Sequence, residues 1–304
     1  MTINSVPAPA GAVVVGVDGS GLSESALLWA AAEAARLGSP LHIVHAFVYV
    51  HAMGGFAVVD VATPDEIGGE VCAAALERVR AEFPDLAVTT EVRVGPAAPQ
   101  LIKASRQASM VVLGARGHGR IGGVLVGSVS QQVALHSRCP VVVVRGGVEG
   151  GPVVVGLDGS VQADEALRFA LRHAEGVGAP LRVVRAEYVE APPGVPPGEW
   201  YADLVDRMQA LTESVRSKVE EVAREHPGVE VELEILHQHP VSALVDESAQ
   251  ARLIVVASRG LGGFAGLLLG SVSQGVLSRS MASVAVVPPV GGPREEPEAR
   301  DITR

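Results

Sequence analysis

The sequence predicts an α/β fold built twice in one chain, with parallel sheets covered by helices on both faces. Two observations carry this. Short apolar, β-branched runs alternate with amphipathic helical stretches, the order that lays a crossover helix between neighbouring parallel strands. The chain also starts over. Ala12–Ser20 (AVVVGVDGS) returns as Pro152–Ser160 (PVVVGLDGS), and Leu113–Ser130 (LGARGHGRIGGVLVGSVS) returns within Leu253–Ser273 (LIVVASRGLGGFAGLLLGSVS). The two aspartates stand 140 residues apart, and Gly127 and Gly270, which open the last helices, 143 apart. The halves therefore share one fold with small loop differences.

Taken in order, Ala12–Val17 is apolar on both faces, as a central parallel strand is. Ser23, or Ser20 before it, caps a helix over residues 24–37 that Gly38 ends. Residues 41–46 form the second strand, and 47–63, without periodicity, read as a long loop. Pro64 opens a helix to about Glu82. A strand over 87–94, a short helix over 99–107 and a strand over 109–113 follow. After the glycine-rich loop come a helix over 127–137 and a last strand over 141–144. Residues 145–151 read as a flexible linker. The second half continues with a strand over 181–186, a Pro-rich loop at 192–198 and a long helix over 200–225. Segments 229–236, 241–250, 253–257, 270–280 and 284–287 complete it, and 291–304 read as a disordered tail. The expected domains are residues 1–146 and 151–290. The apolar last strands, 141–144 and 284–287, are candidate edges for pairing into an internal pseudo-dimer.

Composition narrows the function. The net charge is −10 and no basic stripe is present, which argues against nucleic acid as a partner. No apolar run has the length needed to span a bilayer, no export signal is seen, and two cysteines do not make a disulfide framework. A cytoplasmic protein away from the membrane is the expectation.

The glycine-rich loop is where chemistry is expected. With few Cβ atoms in the way, successive N–H groups converge on one point, and the following helix aims its positive end there. Ser128 and Ser130 add hydroxyl donors, and Arg116 and Arg120 add positive charge. A phosphate suits that point. Asp18 ends the first strand and Asp158 repeats it. Such a carboxylate would accept from a ribose hydroxyl or an amino group, or hold a metal through water; it would equally close the strand–helix connection as an Asx turn. His45 is matched by Arg185 and His118 by Leu261, so neither reads as a catalytic base. His237 and His239 have no third metal ligand arranged around them. No GxxxxGK[ST] P-loop and no GxSxG elbow occurs. A binding site is clearer than a reaction.

Gly114-x-x-Gly117, nine residues, then Gly127-Ser128, with the Val-Gly-Val-Asp-Gly-Ser opening and the Cys139-Pro140-Val-Val-Val-Val ending, resembles the signature of ATP-binding universal stress proteins. The resemblance covers nearly the whole chain, twice. It implies two tandem open five-stranded sheets, order 3-2-1-4-5 and Rossmann-like, with one ATP in the crevice of each. By motif position, Gly16, Val17 and Asp18 would lie near ribose and adenine, and the Ala46 backbone would meet adenine. Gly114, Arg116, Gly117, Gly127, Ser128, Val129 and Ser130 would cradle ribose and phosphates, with Mg an accompanying ion. The second-half equivalents are Gly156, Leu157, Asp158, Ala186, Ala257, Arg259, Gly260, Gly270, Ser271, Val272 and Ser273. Ala257 stands where the signature has its first glycine, and its methyl is expected to narrow the second site.

The leading expectation is an ATP-binding regulatory protein of the stress response with little or no turnover, a homodimer that meets a regulatory protein partner. The alternatives are a weak ATPase or nucleotidyl-transfer enzyme in the same crevice, or an interaction scaffold with ATP as a structural ligand.

Overall fold

A computed structural model describes residues 7–47, 64–116, 126–188, 199–260 and 269–289. The loop at 48–63, Gly117 with the centre of the first glycine-rich loop, the Pro-rich loop and the tail lie outside the described residues.

The first half runs β1 (Val13–Gly16), α1 (Gly21–Leu37), β2 (Leu41–Phe47), α2 (Pro64–Glu82), β3 (Val88–Val94), α3 (Ala97–Ala104), β4 (Met110–Gly114), α4 (Ser128–His136) and β5 (Val141–Val144). The second repeats it as β6 (Val153–Gly156), α5 (Val161–Val177), β7 (Leu181–Ala186), α6 (Glu199–Ala223), β8 (Val231–Leu236), α7 (Pro240–Glu247), β9 (Leu253–Ala257), α8 (Ser271–Arg279) and β10 (Ser283–Val287). Local chemistry sets the helix ends. Ser20 and Ser160 cap α1 and α5 by accepting from Ser23 N and Ala163 N, both at 3.3 Å. Gly38 and Gly178 end them at φ of 61° and 62°, a conformation that a Cβ would strain.

Within each half the strands are parallel and ordered 3-2-1-4-5. The expected two sheets are, however, one. β5 pairs antiparallel with β10, Val143 opposite Val284 and Val141 opposite Val286, giving the ten-strand order β3-β2-β1-β4-β5-β10-β9-β6-β7-β8. The reason is apolar chemistry. Every residue of β5 and β10 is buried, and a strand covered on both faces gains most by pairing its open edge as well. The internal pseudo-dimer is thus built on the strands expected to carry it.

Alternating strand residues feed two cores that run across both halves. Val15, Val142, Val155 and Ala285 pack under α1, α2, α5 and α6. Val14, Val143, Val154 and Val284 pack under α3, α4, α7 and α8.

The 145–151 segment is not a loose linker. Val148 N donates to Ala251 O at 3.2 Å and Ser283 N to Gly146 O at 3.0 Å. The Arg145 side chain donates to the carbonyl of Leu277 in the last turn of α8 and to that of Ser280, which caps it. Burial, with the charge of Arg116 nearby, brings its guanidinium down to about 10. The glycines serve close approach: a Cβ on Gly147 would sit 2.9 Å from Arg252 O, and one on Gly151 would overlap Gln250 O. Neither cysteine forms a disulfide and both are buried; burial pushes the Cys72 thiol up to about 11, which leaves little reactive thiolate there.

Candidate functional site

Each half holds a cavity at the carboxyl ends of its strands, where the strand order switches direction; ligands of doubly wound sheets bind there. The first encloses about 480 Å³ and the second about 660 Å³, within the range of about 300–1,000 Å³ usual for small-molecule sites.

The floor comes from the turn after the first strand. Gly16, Val17 and Asp18 line the first cavity, and Gly156, Leu157 and Asp158 the second. The side wall closes directly over Gly16: a Cβ there would lie 2.6 Å from Leu113 Cδ2 and 3.1 Å from Leu101 Cδ1, so those leucine side chains would have to shift. Asp18 closes the strand–helix turn and also lines the cavity; its Oδ1 accepts from Ser20 N at 3.0 Å and Ser20 Oγ at 2.6 Å. Asp158 repeats this turn with Ser160 N at 2.9 Å. β1 ends at Gly16 while β2 runs on to Phe47, so Ala46 stands on the rim, as Ala186 does in the second half. His45 is structural: its Nδ1 lies 2.8 Å from Val17 O, and the equivalent Arg185 approaches Asp158 O at 3.4 Å.

The far wall is the loop after the fourth strand and the helix it feeds. Gly114, Arg116, Gly127, Ser128, Val129 and Ser130 line the first cavity, and Ala257, Arg259, Gly260, Gly270, Ser271, Val272 and Ser273 the second. α4 and α8 begin at Gly127 and Gly270 with no side-chain cap. Gly127 N and Gly270 N donate back to Ala115 O and Ser258 O, both at 2.7 Å. The next three N–H groups of each helix have no acceptor among the described residues, and they open into the cavities. Ser130 differs from expectation. Its hydroxyl donates to Gly114 O at 2.8 Å, as that of Ser273 donates to Ala257 O at 2.6 Å, so each ties its helix to the strand end and leaves the exposed Ser128 and Ser271 as hydroxyl donors.

Ala257 lines the second cavity, which at about 660 Å³ encloses more space than the first at about 480 Å³. Its methyl belongs to the buried cluster that holds Ala163 of α5.

The motif pattern did not reveal the side walls. Val44, Ala97 and Leu101 close the first cavity, and Val184, Pro240 and Leu244 the second. Tyr188, just past β7, adds an aromatic wall to the second; its ring stands edge-on to that of His239 at 5.5 Å. His239 in turn caps α7, its Nδ1 accepting from Val241 N at 3.2 Å. The signal was present: the 143-residue offset that relates Gly127 to Gly270 also relates Leu101 to Leu244. Among the described residues no group of three or more His, Cys, Asp or Glu is placed to hold a metal ion, and no helix is long and apolar enough to cross a membrane.

The family model described as the universal stress protein family matches this chain twice, over residues 10–145 and 151–288. The chain belongs to the universal stress protein family. A universal stress protein of Mycolicibacterium smegmatis is 34% identical over 289 residues, covering 91% of this chain and 97% of that one. Universal stress protein Rv2005c of Mycobacterium tuberculosis is 34% identical over 301 residues, with 90% and 96% covered. Among solved structures, a universal stress protein from Archaeoglobus fulgidus shares the fold at a TM-score of 0.67 and 24% identity, over 91% of this chain and 96% of that one. The tandem arrangement therefore spans nearly the full length of these relatives.

Proposed function

We propose that this universal stress protein binds two adenine nucleotides, one in each cavity, and acts as a regulatory protein of the stress response with little or no turnover. One observation carries the reading. α1 and α5 are capped by their own serines, whereas α4 and α8 direct uncapped N–H groups into a cavity. A helix N-terminus left open in this way suits phosphate oxygens, and Arg116 or Arg259 beside it adds positive charge. The apolar walls at the other end, Leu101 with Val44 and Leu244 with Val184, suit a base. Asp18 and Asp158 lie on the floor between, within the cavity a ribose would occupy. ATP is the nucleotide the signature favours, and an accompanying Mg ion would be held chiefly by its phosphates, since among the described residues one carboxylate lines each cavity, Asp18 or Asp158.

Hydrolysis has little support, because no base is repeated between the halves. A homodimer and a regulatory protein partner belong to the same proposal. With β5 and β10 paired to each other, a second copy adding to the sheet would do so at β3 or β8.

Calorimetric titration with ATP tests the reading, alongside an assay of phosphate release. The expected stoichiometry is two per chain for native protein and one for Gly260→Ala, where the new Cβ would run into Asp158 Oδ2. No binding by nucleotide-free native protein would overturn it, and rapid release abolished by Asp18→Asn would make the protein an enzyme. Tyr188→Ala is expected to weaken the second site alone, by about 5- to 100-fold, the usual range for removing a base–aromatic stack, while Tyr188→Phe keeps it.

A further inference from the structure

The two halves also meet through α1 and α5, and there their equivalent residues are not alike. The 140-residue offset relates Trp29 to Phe169, Glu33 to His173 and Arg36 to Gly176. Several of these residues meet across the seam. The His173 ring stacks on Trp29 at 5.7 Å and lies parallel to Phe169 at 6.4 Å. His173 Nδ1 is 3.4 Å from the Glu33 carboxylate, and both residues are only 4% exposed. Arg36 Nε donates to Glu33 Oε2 at 2.9 Å. Its Nη1 occupies the space a Cβ on residue 176 would need and approaches Arg172 O at 3.5 Å. Burial works against the Glu33 carboxylate, yet His173 and Arg36 hold it at about 2.

The sheet junction alone does not choose partners. β5 is four valines and β10 is Ser-Val-Ala-Val-Val, and antiparallel ladders between apolar strands form as readily between like copies as between unlike ones. The seam does choose. Like-with-like pairing about the same axis would bury Glu33 against a second Glu33 and bring Arg36 against a second Arg36. In the other half it would set His173 against His173 and leave a gap at Gly176. Arg36 would still pair with Glu33 of its own helix, but two carboxylates and two guanidiniums brought face to face in a buried seam repel.

We propose that the α1–α5 seam is a heterotypic recognition surface: the Glu33–Arg36 face of the first half accepts the His173–Gly176 face of a second half and refuses a copy of itself. A second copy of the chain is thereby excluded from pairing through like halves, and the code is one carboxylate opposed by one imidazole.

Thermal unfolding of the full chain tests this with His173→Glu, Glu33→His, the double variant carrying both, and His173→Gln. His173→Glu is expected to lower Tm by about 10 °C at pH 7.5, and by clearly less at pH 5, where protonation of one facing carboxylate removes the repulsion. His173→Gln, which keeps size without charge, should lose less and show no such recovery. The double variant retains one carboxylate, one imidazole and Arg36 in the seam, and should regain at least half of the Tm lost by His173→Glu. Unchanged Tm for His173→Glu, or a double variant that loses the sum of the two single losses, would overturn the proposal. Should His173→Glu fail to fold, the double variant decides: cooperative unfolding supports the code, and failure to fold refutes it.

Discussion

Gly114→Ala is expected to destabilise the protein by about 1–3 kcal/mol, the range for forcing an atom into a packed site, and to weaken ligand binding in the first cavity while sparing the second. A Cβ on Gly114 would stand 2.7 Å from Leu22 O, 2.9 Å from Leu22 C and 3.2 Å from Ser23 N. All three atoms belong to the α1 backbone, so no rotamer change relieves the contact and the first turn of α1 must move. That turn carries Ser20 and Ser23, and Ser20 holds Asp18 in place. Ligand binding and stability therefore fall together. The second half already bears a methyl at the equivalent Ala257, buried with Ala163 of α5. Ala257→Gly accordingly moves the other way from a repair: it is expected to cost about 1 kcal/mol through lost burial and a freer unfolded backbone. Chemical denaturation of the two variants, with calorimetry of ligand binding, checks both signs.

Acid is expected to open the seam through Glu33. Its carboxyl is held at about 2 against an ordinary 4.5, so the folded state binds its proton less readily than the unfolded state. The resulting stability is present above pH 4.5 and is lost as pH falls from there toward 2. The size is on the order of 3 kcal/mol, and the side chain is buried enough for little of it to be screened away. Glu33→Gln removes the titration, so its unfolding free energy is expected to be flatter than that of native protein between pH 5 and 2.5. Urea denaturation across that window measures the difference. Equal slopes for the two proteins would show that other carboxyls carry the acid sensitivity.

Much of this molecule was legible in the sequence because it rests on local rules. β-branched runs mark the strands, Ser20 and Gly38 bracket α1, and the repeat at 140 residues reveals the two halves. The junction was legible too, since Val141–Val144 is apolar on both faces and cannot rest at an open edge. What escaped depends on neighbours far along the chain. Gly146, Gly147, Gly150 and Gly151 read as looseness, yet Gly147 and Gly151 are needed for tight contact with the backbone of residues 250–252. Leu101, Leu244 and Tyr188 reach the cavities from elements outside the motif. The Ser130 hydroxyl reads as a donor to a ligand, but it is turned back onto its strand end, as that of Ser273 is. The pairing of Glu33 with His173 needs the pseudo-twofold axis itself, which no spacing in one half encodes.

The antiparallel contact between β5 and β10 also decides where the cavities look. Each cavity lies beyond the carboxyl ends of its own strands, and the strands of one half run opposite to those of the other. The two mouths therefore open at opposite ends of a single slab. One chain in this sense carries two cavities that face away from each other, one on either edge of the same layer.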